Sequence, residues 1–188
     1  MNMAHTGNIS AEDALERLKA GNERYISSSE FSGDITADRR VKLSEEGQHP
    51  YAVVISCSDS RVIPEVIFDT GLGELFVIRS AGNVVDTATL GSIEYAVGHM
   101  GVKLVLVLGH TNCGAVAEAI NGLHEGHSIE IINDIIEGIG KETDPIKASR
   151  LNVHNSARLI KEDLGERLDM EIIGALYDIR TGRVEFGI

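Results

Sequence analysis

Residues 51–61, YAVVISCSDSR, decide how the rest of the chain is read. The first half is an unbroken apolar run, rich in β-branched residues and without alternation. That is the pattern of a strand buried on both faces, and hence of a parallel sheet under helices. The run stops at Cys57, and Asp59 and Arg61 follow two and four residues later. A second stretch has the same build: residues 103–114, KLVLVLGHTNCG, an apolar run closing in His110 and Cys113. These two run ends hold both of the chain's cysteines.

In open α/β sheets, functional groups collect beyond the carboxyl ends of the strands. If the two strands are neighbours, about 5 Å apart, the side chains of Cys57, His110 and Cys113 can converge. Two thiolates and one imidazole make a zinc-type donor set. Three protein ligands leave a fourth position open, as catalytic zinc sites do, whereas structural sites are normally closed. The competing readings are a buried free thiol beside a core histidine, and a disulfide, which would need an oxidising compartment.

Asp59 and Arg61 weigh toward the metal. Residues two apart on an extended segment point the same way, so Cys57, Asp59 and Arg61 share one side. As a surface ion pair the last two would contribute only about 0–1 kcal/mol. Beside a metal, Arg61 can hold Asp59 ionised and aimed, and Asp59 can accept the proton of a zinc-bound hydroxide. Zinc with two thiolates and a neutral imidazole sums to zero charge. Its water should therefore be less acidic than the value near 7 found with three histidines, which makes a device stabilising the hydroxide useful. Asp59 could instead become the fourth ligand, a state in which no water is activated.

Outward from these stretches, the pattern is strand-helix alternation. Ser10 caps a helix with a stripe through Leu15 and Leu18, which Gly21-Asn22 is expected to interrupt or end. This helix stands far ahead of the first strand and is a candidate to pack on a partner subunit. Thr36 caps a second helix that Gly47 ends. Residues 62–68 form a short helix with Pro64 in its first turn, and residues 74–79 a second strand. Asp86 or Thr87 opens a helix closed by Gly101. Helices over 113–120, 129–139 and from Asp144-Pro145 to about Leu164 follow, then a strand at 170–176 and a short one at 184–186 in a final hairpin. The expected fold is α/β: a central, mostly parallel sheet of four strands with an antiparallel edge strand, flanked by helices, behind an N-terminal helical arm. The chain reads as one domain over 1–188, with the arm at about 1–47 and the core at 48–188.

With 188 residues, 43% apolar and 24% charged, the composition is that of an ordinary globular protein. A net charge of −12 argues against a nucleic-acid partner, which wants clustered Lys and Arg. No apolar run reaches the ~18 residues of a membrane span. The first residues, MNMAHTGNIS, lack the basic region and apolar core of a secretory signal, so a cytoplasmic location is expected.

CSDSR at 57–61 and HTNCG at 110–114 resemble the two signature motifs of the β-class carbonic anhydrases. The likeness continues through LERLKAGNERY from Leu15, GELFVIRSAGN at 73–83 and GSIEYAV at 91–97. It implies one Zn²⁺ on Cys57, His110 and Cys113, with Asp59 and Arg61 as a catalytic dyad. It implies reversible hydration of CO₂ to bicarbonate and a proton, by attack of zinc-bound hydroxide. It also implies a homodimer, in some members paired into a homotetramer, with N-terminal helices embracing the partner. In the plant-like branch the substrate pocket would take the amide of Gln48, a wall of Phe76 and Tyr95 supplied across the dimer interface, and the backbone N–H of Gly114. His99, four residues after Tyr95, is a candidate proton relay; His5, His49, His124, His127 and His154 receive no role. Members with a bicarbonate-responsive site carry a tryptophan where this chain has Val54. Arg79 matches that site's arginine but is no site alone, and Asn112 looks neutral for the mechanism. An open zinc without a bicarbonate-linked switch is expected.

Two other functions share these residues. A hydrolase of carbonyl sulfide or carbon disulfide would keep the fold and metal, because those molecules are isosteric with CO₂. A non-catalytic zinc-binding module would need a closed fourth position, and Cys57→Ala would then unfold it.

Overall fold

The computed structural model describes residues 9–28, 30–122 and 125–188; His5, His124 and most of the N-terminal stretch lie outside them. Five strands form one sheet: β1 (Ala52–Cys57), β2 (Leu75–Ser80), β3 (Leu104–His110), β4 (Glu171–Tyr177) and β5 (Val184–Phe186). Their order is β2-β1-β3-β4-β5, with the first four parallel and β5 antiparallel to β4. The helices are α1 (Ala11–Ser27), α2 (Ala37–Glu46), α3 (Pro64–Ile67), α4 (Thr87–Met100), α5 (Gly114–Asn121), α6 (Ile129–Ile139) and α7 (Pro145–Leu164). The expected fold class is the one observed.

Every residue of β1 and β3 is buried, because alternate side chains serve opposite faces of a sheet covered on both sides. Val54, Leu104, Leu106 and Leu108 face α1 and α3, packing with Ala14, Leu18, Ile67 and Phe68. Val53, Ile55, Val105 and Val107 face α4 and α7, packing with Ile93, Val97, Val153 and Ile160. A third apolar cluster forms where Cys57 and Cys113 meet α5 and α6, with Val116, Ile132 and Ile135. The capping signals act as read: Thr36, Asp86 and Asp144 each accept a backbone N–H at a helix start, and Gly101 closes α4 in the left-handed region.

Gly21 and Asn22 do not break the first helix, which runs straight through them to Ser27. Gly21 is there for contact: a Cβ at that position would lie 1.9 Å from the Phe68 carbonyl oxygen, so only glycine lets α1 approach α3. Asn22 is buried with its amide satisfied. It donates to the carbonyls of Ile67 (3.2 Å) and Gly182 (2.9 Å) and accepts from Val184 N (2.9 Å), joining α1 to the final hairpin. The inner face of α1 is thus part of this chain's own core.

Asp69 completes that junction. Its buried carboxylate accepts from Arg24 Nε at 2.6 Å, from Ser32 N at 2.7 Å and from the Ser32 hydroxyl. Burial works to raise its pKa, but the Ser32 and Arg24 bonds outweigh burial and hold it below the ordinary carboxylate value. A depressed folded pKa adds stability that is fully present above the unfolded value near 4 and is lost as pH falls through the folded one. Asp69→Asn is therefore expected to cost about 1–3 kcal/mol at neutral pH and to flatten the loss of stability below about pH 4, both read from urea midpoints across pH.

Candidate metal centre

Cys57 is the last residue of β1 and His110 the last of β3, and these strands are adjacent. The chain then turns through Asn112, whose φ of 57° lies in the left-handed region that asparagine tolerates. That turn returns Cys113 to the N-cap of α5, beside the strand ends it has just left. The outcome is that one donor atom each from Cys57, His110 and Cys113 lie within 4.8 Å of one another, all three residues buried.

The donor set fits a thiophilic dication. The carbonyl of Thr111 can only accept, so the 2.9 Å contact assigns the His110 proton to Nδ1 and leaves the lone pair on Nε2. Nε2 is buried and has no hydrogen-bond partner, an uncompensated acceptor facing two sulfurs. The thiols titrate as a pair. The first proton leaves readily: the Cys113 thiol, then the His110 side chain and the backbone N–H groups of Asp59 and Gly82 (3.4 and 3.3 Å), pull Cys57 well below the usual thiol range against the effect of burial. The second is held far above the usual thiol range, first because the Cys113 thiol hydrogen-bonds the Cys57 sulfur, then because of burial and because a second thiolate would stand beside the first. A dication removes that repulsion.

The flanking turn carries Asp59 and Arg61. Arg61 grips the carboxylate as a fork, Nε to Oδ1 at 2.9 Å and a terminal nitrogen to Oδ2 at 2.6 Å, and its backbone N–H adds a third bond to Oδ1 at 2.9 Å. The same guanidinium donates to the Asn112 carbonyl at 3.2 Å, tying the two signature segments together. With both oxygens on Arg61, Asp59 is held well below the ordinary carboxylate range, by the Arg61 side chain first and against some burial. It is not among the clustered donors.

The family follows from comparison with known proteins. Residues 52–184 match the family described as carbonic anhydrase. The chain belongs to the β-class carbonic anhydrases. Among curated relatives, carbonic anhydrase 2 of Mycobacterium tuberculosis is 36% identical, over 90% of this chain and 89% of its own. The carbonic anhydrase of Mycolicibacterium smegmatis is 37% identical, over 92% and 91%. One of the two tetrameric β-carbonic anhydrases solved from Sordaria macrospora superimposes with a TM-score of 0.68 at 28% identity, covering 93% of this chain and 94% of that one. The Coccomyxa β-carbonic anhydrase solved with acetazolamide gives 0.67 at 26%, covering 93% and 81%. The protein is thus a carbonic anhydrase enzyme, of a family whose reaction is CO₂ hydration. No described helix is long and apolar enough to cross a membrane.

Of the other residues implied by the β-class resemblance, Gly114 directly follows Cys113 and the rest fall elsewhere on the protomer. Gly114 is the exposed first residue of α5. Phe76, Tyr95 and His99 form a chain of rings, with centroids 6.4 Å and then 5.2 Å apart, and Tyr95 is 51% exposed. Phe76 pairs with Val53, four residues before Cys57 along β1, so its backbone sits about 13 Å from that strand end. Gln48 lies in the exposed connection between α2 and β1. The structure thus brings the three donors and the dyad together, and places the aromatic group and Gln48 apart from them on their own elements.

Arg79, which matches the arginine of the bicarbonate-responsive site but is no site alone, reaches from β2 to the same turn. It donates to the carbonyls of Cys57 (3.1 Å) and Asp59 (2.7 Å). Nothing in the sequence flags this, since it depends on β2 lying beside β1.

Proposed function

We propose that the chain carries out reversible hydration of CO₂ with one zinc ion held by Cys57, His110 and Cys113. The observation that carries this is the buried Cys–His–Cys cluster with an uncompensated imidazole nitrogen, next to a carboxylate locked by an arginine fork. When bound, the ion supplies a Lewis acid that makes water nucleophilic near neutral pH.

The chain's own residues supply the rest. Asp59 accepts the hydrogen bond of the nucleophile's O–H group and turns its lone pair toward carbon. Arg61 keeps Asp59 ionised and fixes its plane, because a planar fork leaves a carboxylate little freedom to rotate. Arg79 holds the turn beneath both, and the N–H of Gly114 is free to meet a substrate oxygen. The Gln48 amide adds a second donor. A second copy of the chain presents Phe76 and Tyr95 as the apolar wall, in keeping with an exposed Tyr95 and a half-buried Phe76 in one protomer, and a homodimer is the smallest working unit. His99, whose ring lies tilted against Tyr95, passes the product proton toward solvent. Val54, buried in β1, occupies the tryptophan position of regulated members, so the reading includes no bicarbonate-linked switch. The place of action is the cytoplasm.

Purified protein is expected to hold one zinc per chain and to hydrate CO₂ at a rate that rises with pH in stopped-flow assays. Carbonyl sulfide and carbon disulfide, assayed alongside, should be turned over far more slowly. Turnover of either at a rate above that of CO₂ would replace the reading with the hydrolase one.

A further inference from the structure

Helix α7 buries three polar side chains on one face: Ser149, Asn152 and Ser156 are 3%, 1% and 2% exposed. They follow at spacings of three and four, the stripe that faces the core. Their bonds differ. The Ser149 hydroxyl turns back onto its own helix, to the Pro145 carbonyl at 2.8 Å. Asn152 and Ser156 leave the helix. Asn152 Nδ2 donates to the Gly82 carbonyl at 2.7 Å, and Ser156 Oγ to the Asn83 carbonyl at 3.0 Å.

Those two consecutive carbonyls belong to the 3₁₀ turn Ala81–Asn83, which follows β2. On the other side of the turn, the Gly82 N–H donates to Cys57 Sγ at 3.3 Å. Gly82 has φ 65°, and a Cβ there would lie 2.6 Å from Ile135 Cδ1 and 3.2 Å from Ala115 Cβ. The turn is therefore pinned from three directions: by packing from α5 and α6, and by hydrogen bonds from α7. An amide buried this deeply is costly unless bonded, and its bond goes to the carbonyl of Gly82, a residue whose own N–H touches Cys57 Sγ.

We propose that Asn152, supported by Ser156, is a positioning residue for the metal centre: by anchoring the Gly82 and Asn83 carbonyls, the two side chains fix the backbone of the turn so that the Gly82 N–H stays aimed at the Cys57 sulfur, and so strengthen metal retention. This rests on reading Cys57, His110 and Cys113 as the metal site. Partners that orient a ligand from outside the coordination sphere typically change metal affinity by about 10–100-fold when lost.

The test titrates the zinc-loaded full-length chain with a chelator of known affinity. The parent is compared with Asn152→Ala, Ser156→Ala and Ser149→Ala, and urea unfolding of each is run in parallel. A cobalt-loaded set reports the sulfur–metal charge-transfer band. Zinc affinity is expected to fall by about 10-fold or more in Asn152→Ala and by less in Ser156→Ala, on the scale of lost orienting partners, with the band displaced in both. Ser149→Ala, equally buried but bonded within its helix, should lower stability alone. Parent affinity and an unmoved band in Asn152→Ala overturn the proposal. Should that variant fail to fold, the same result in Ser156→Ala overturns it. An affinity loss in Ser149→Ala matching the other two also overturns it, by showing a general packing effect. A parent that takes up no zinc overturns the metal reading itself, which separates the two failures.

Discussion

Asp59→Asn is expected to lower CO₂ hydration by about 10²–10⁴-fold, the range for removing a positioned proton-accepting group, with zinc content unchanged. The replacement is isosteric, so the turn from Cys57 to Arg61 keeps its shape. What changes is chemistry. An amide oxygen can still accept from Arg61, but the NH₂ group placed where Oδ2 stood would oppose the guanidinium nitrogen now 2.6 Å away. The fork then has one partner instead of two, and the group facing the nucleophile becomes a donor. The pH profile makes the test sharper. The folded carboxylate lies well below its ordinary value, by the Arg61 hydrogen bonds first. It is therefore ionised at every assayable pH and protonates only as pH falls far below the unfolded value near 4. The loss in Asp59→Asn should accordingly be the same factor from about pH 6 to pH 9, all of which lies above that value. A defect that disappears on raising the pH would contradict the assigned role. Arg61→Lys keeps the charge but loses the fork, and should fall between parent and Asp59→Asn.

Cys113→Ala is expected to abolish stoichiometric zinc binding and reduce hydration to the uncatalysed background, while the chain remains folded. The two halves of this outcome test different things. Removing one of the chain's two cysteine thiols leaves a thiol and an imidazole, too few protein ligands for a stable zinc site. Folding should survive because the two main apolar clusters lie on either face of the sheet and include neither cysteine. Zinc content by elemental analysis, activity, and far-ultraviolet circular dichroism read the three quantities separately. A variant that lost its fold with its metal would mean the ion is structural, which would favour the non-catalytic alternative.

Much of the fold was legible in the sequence because the signals were local. The fully apolar runs ending at Cys57 and His110 meant doubly buried strands, and β1 and β3 are buried at every position. Thr36, Gly47, Asp86, Gly101 and Asp144 mark helix ends through bonds that span no more than about four residues, so neighbours in sequence suffice to define them. Gly21 shows where that stops. A glycine in a helical pattern can mean a break or a close approach, and the choice rests on the Phe68 carbonyl, far along the chain.

The site divides the same way. By itself the sequence determined which residues could bind a metal and which carboxylate would stand beside it, because donor chemistry belongs to residue type. The tertiary structure decided that the donors meet, since only the strand order puts β1 next to β3. It also decided which groups hold them: Arg79 across from β2, the Asn112 carbonyl on Arg61, and Asn152 behind Gly82. In a helical pattern Asn152 and Ser156 are ordinary polar positions. Their bonds to the turn join residues 70 and 73 positions apart. No periodicity reports such a pairing, because it exists only once the sheet has assembled. In YAVVISCSDSR, then, local patterning sets the strand and the ligand at its end, and long-range contacts hold that end in place.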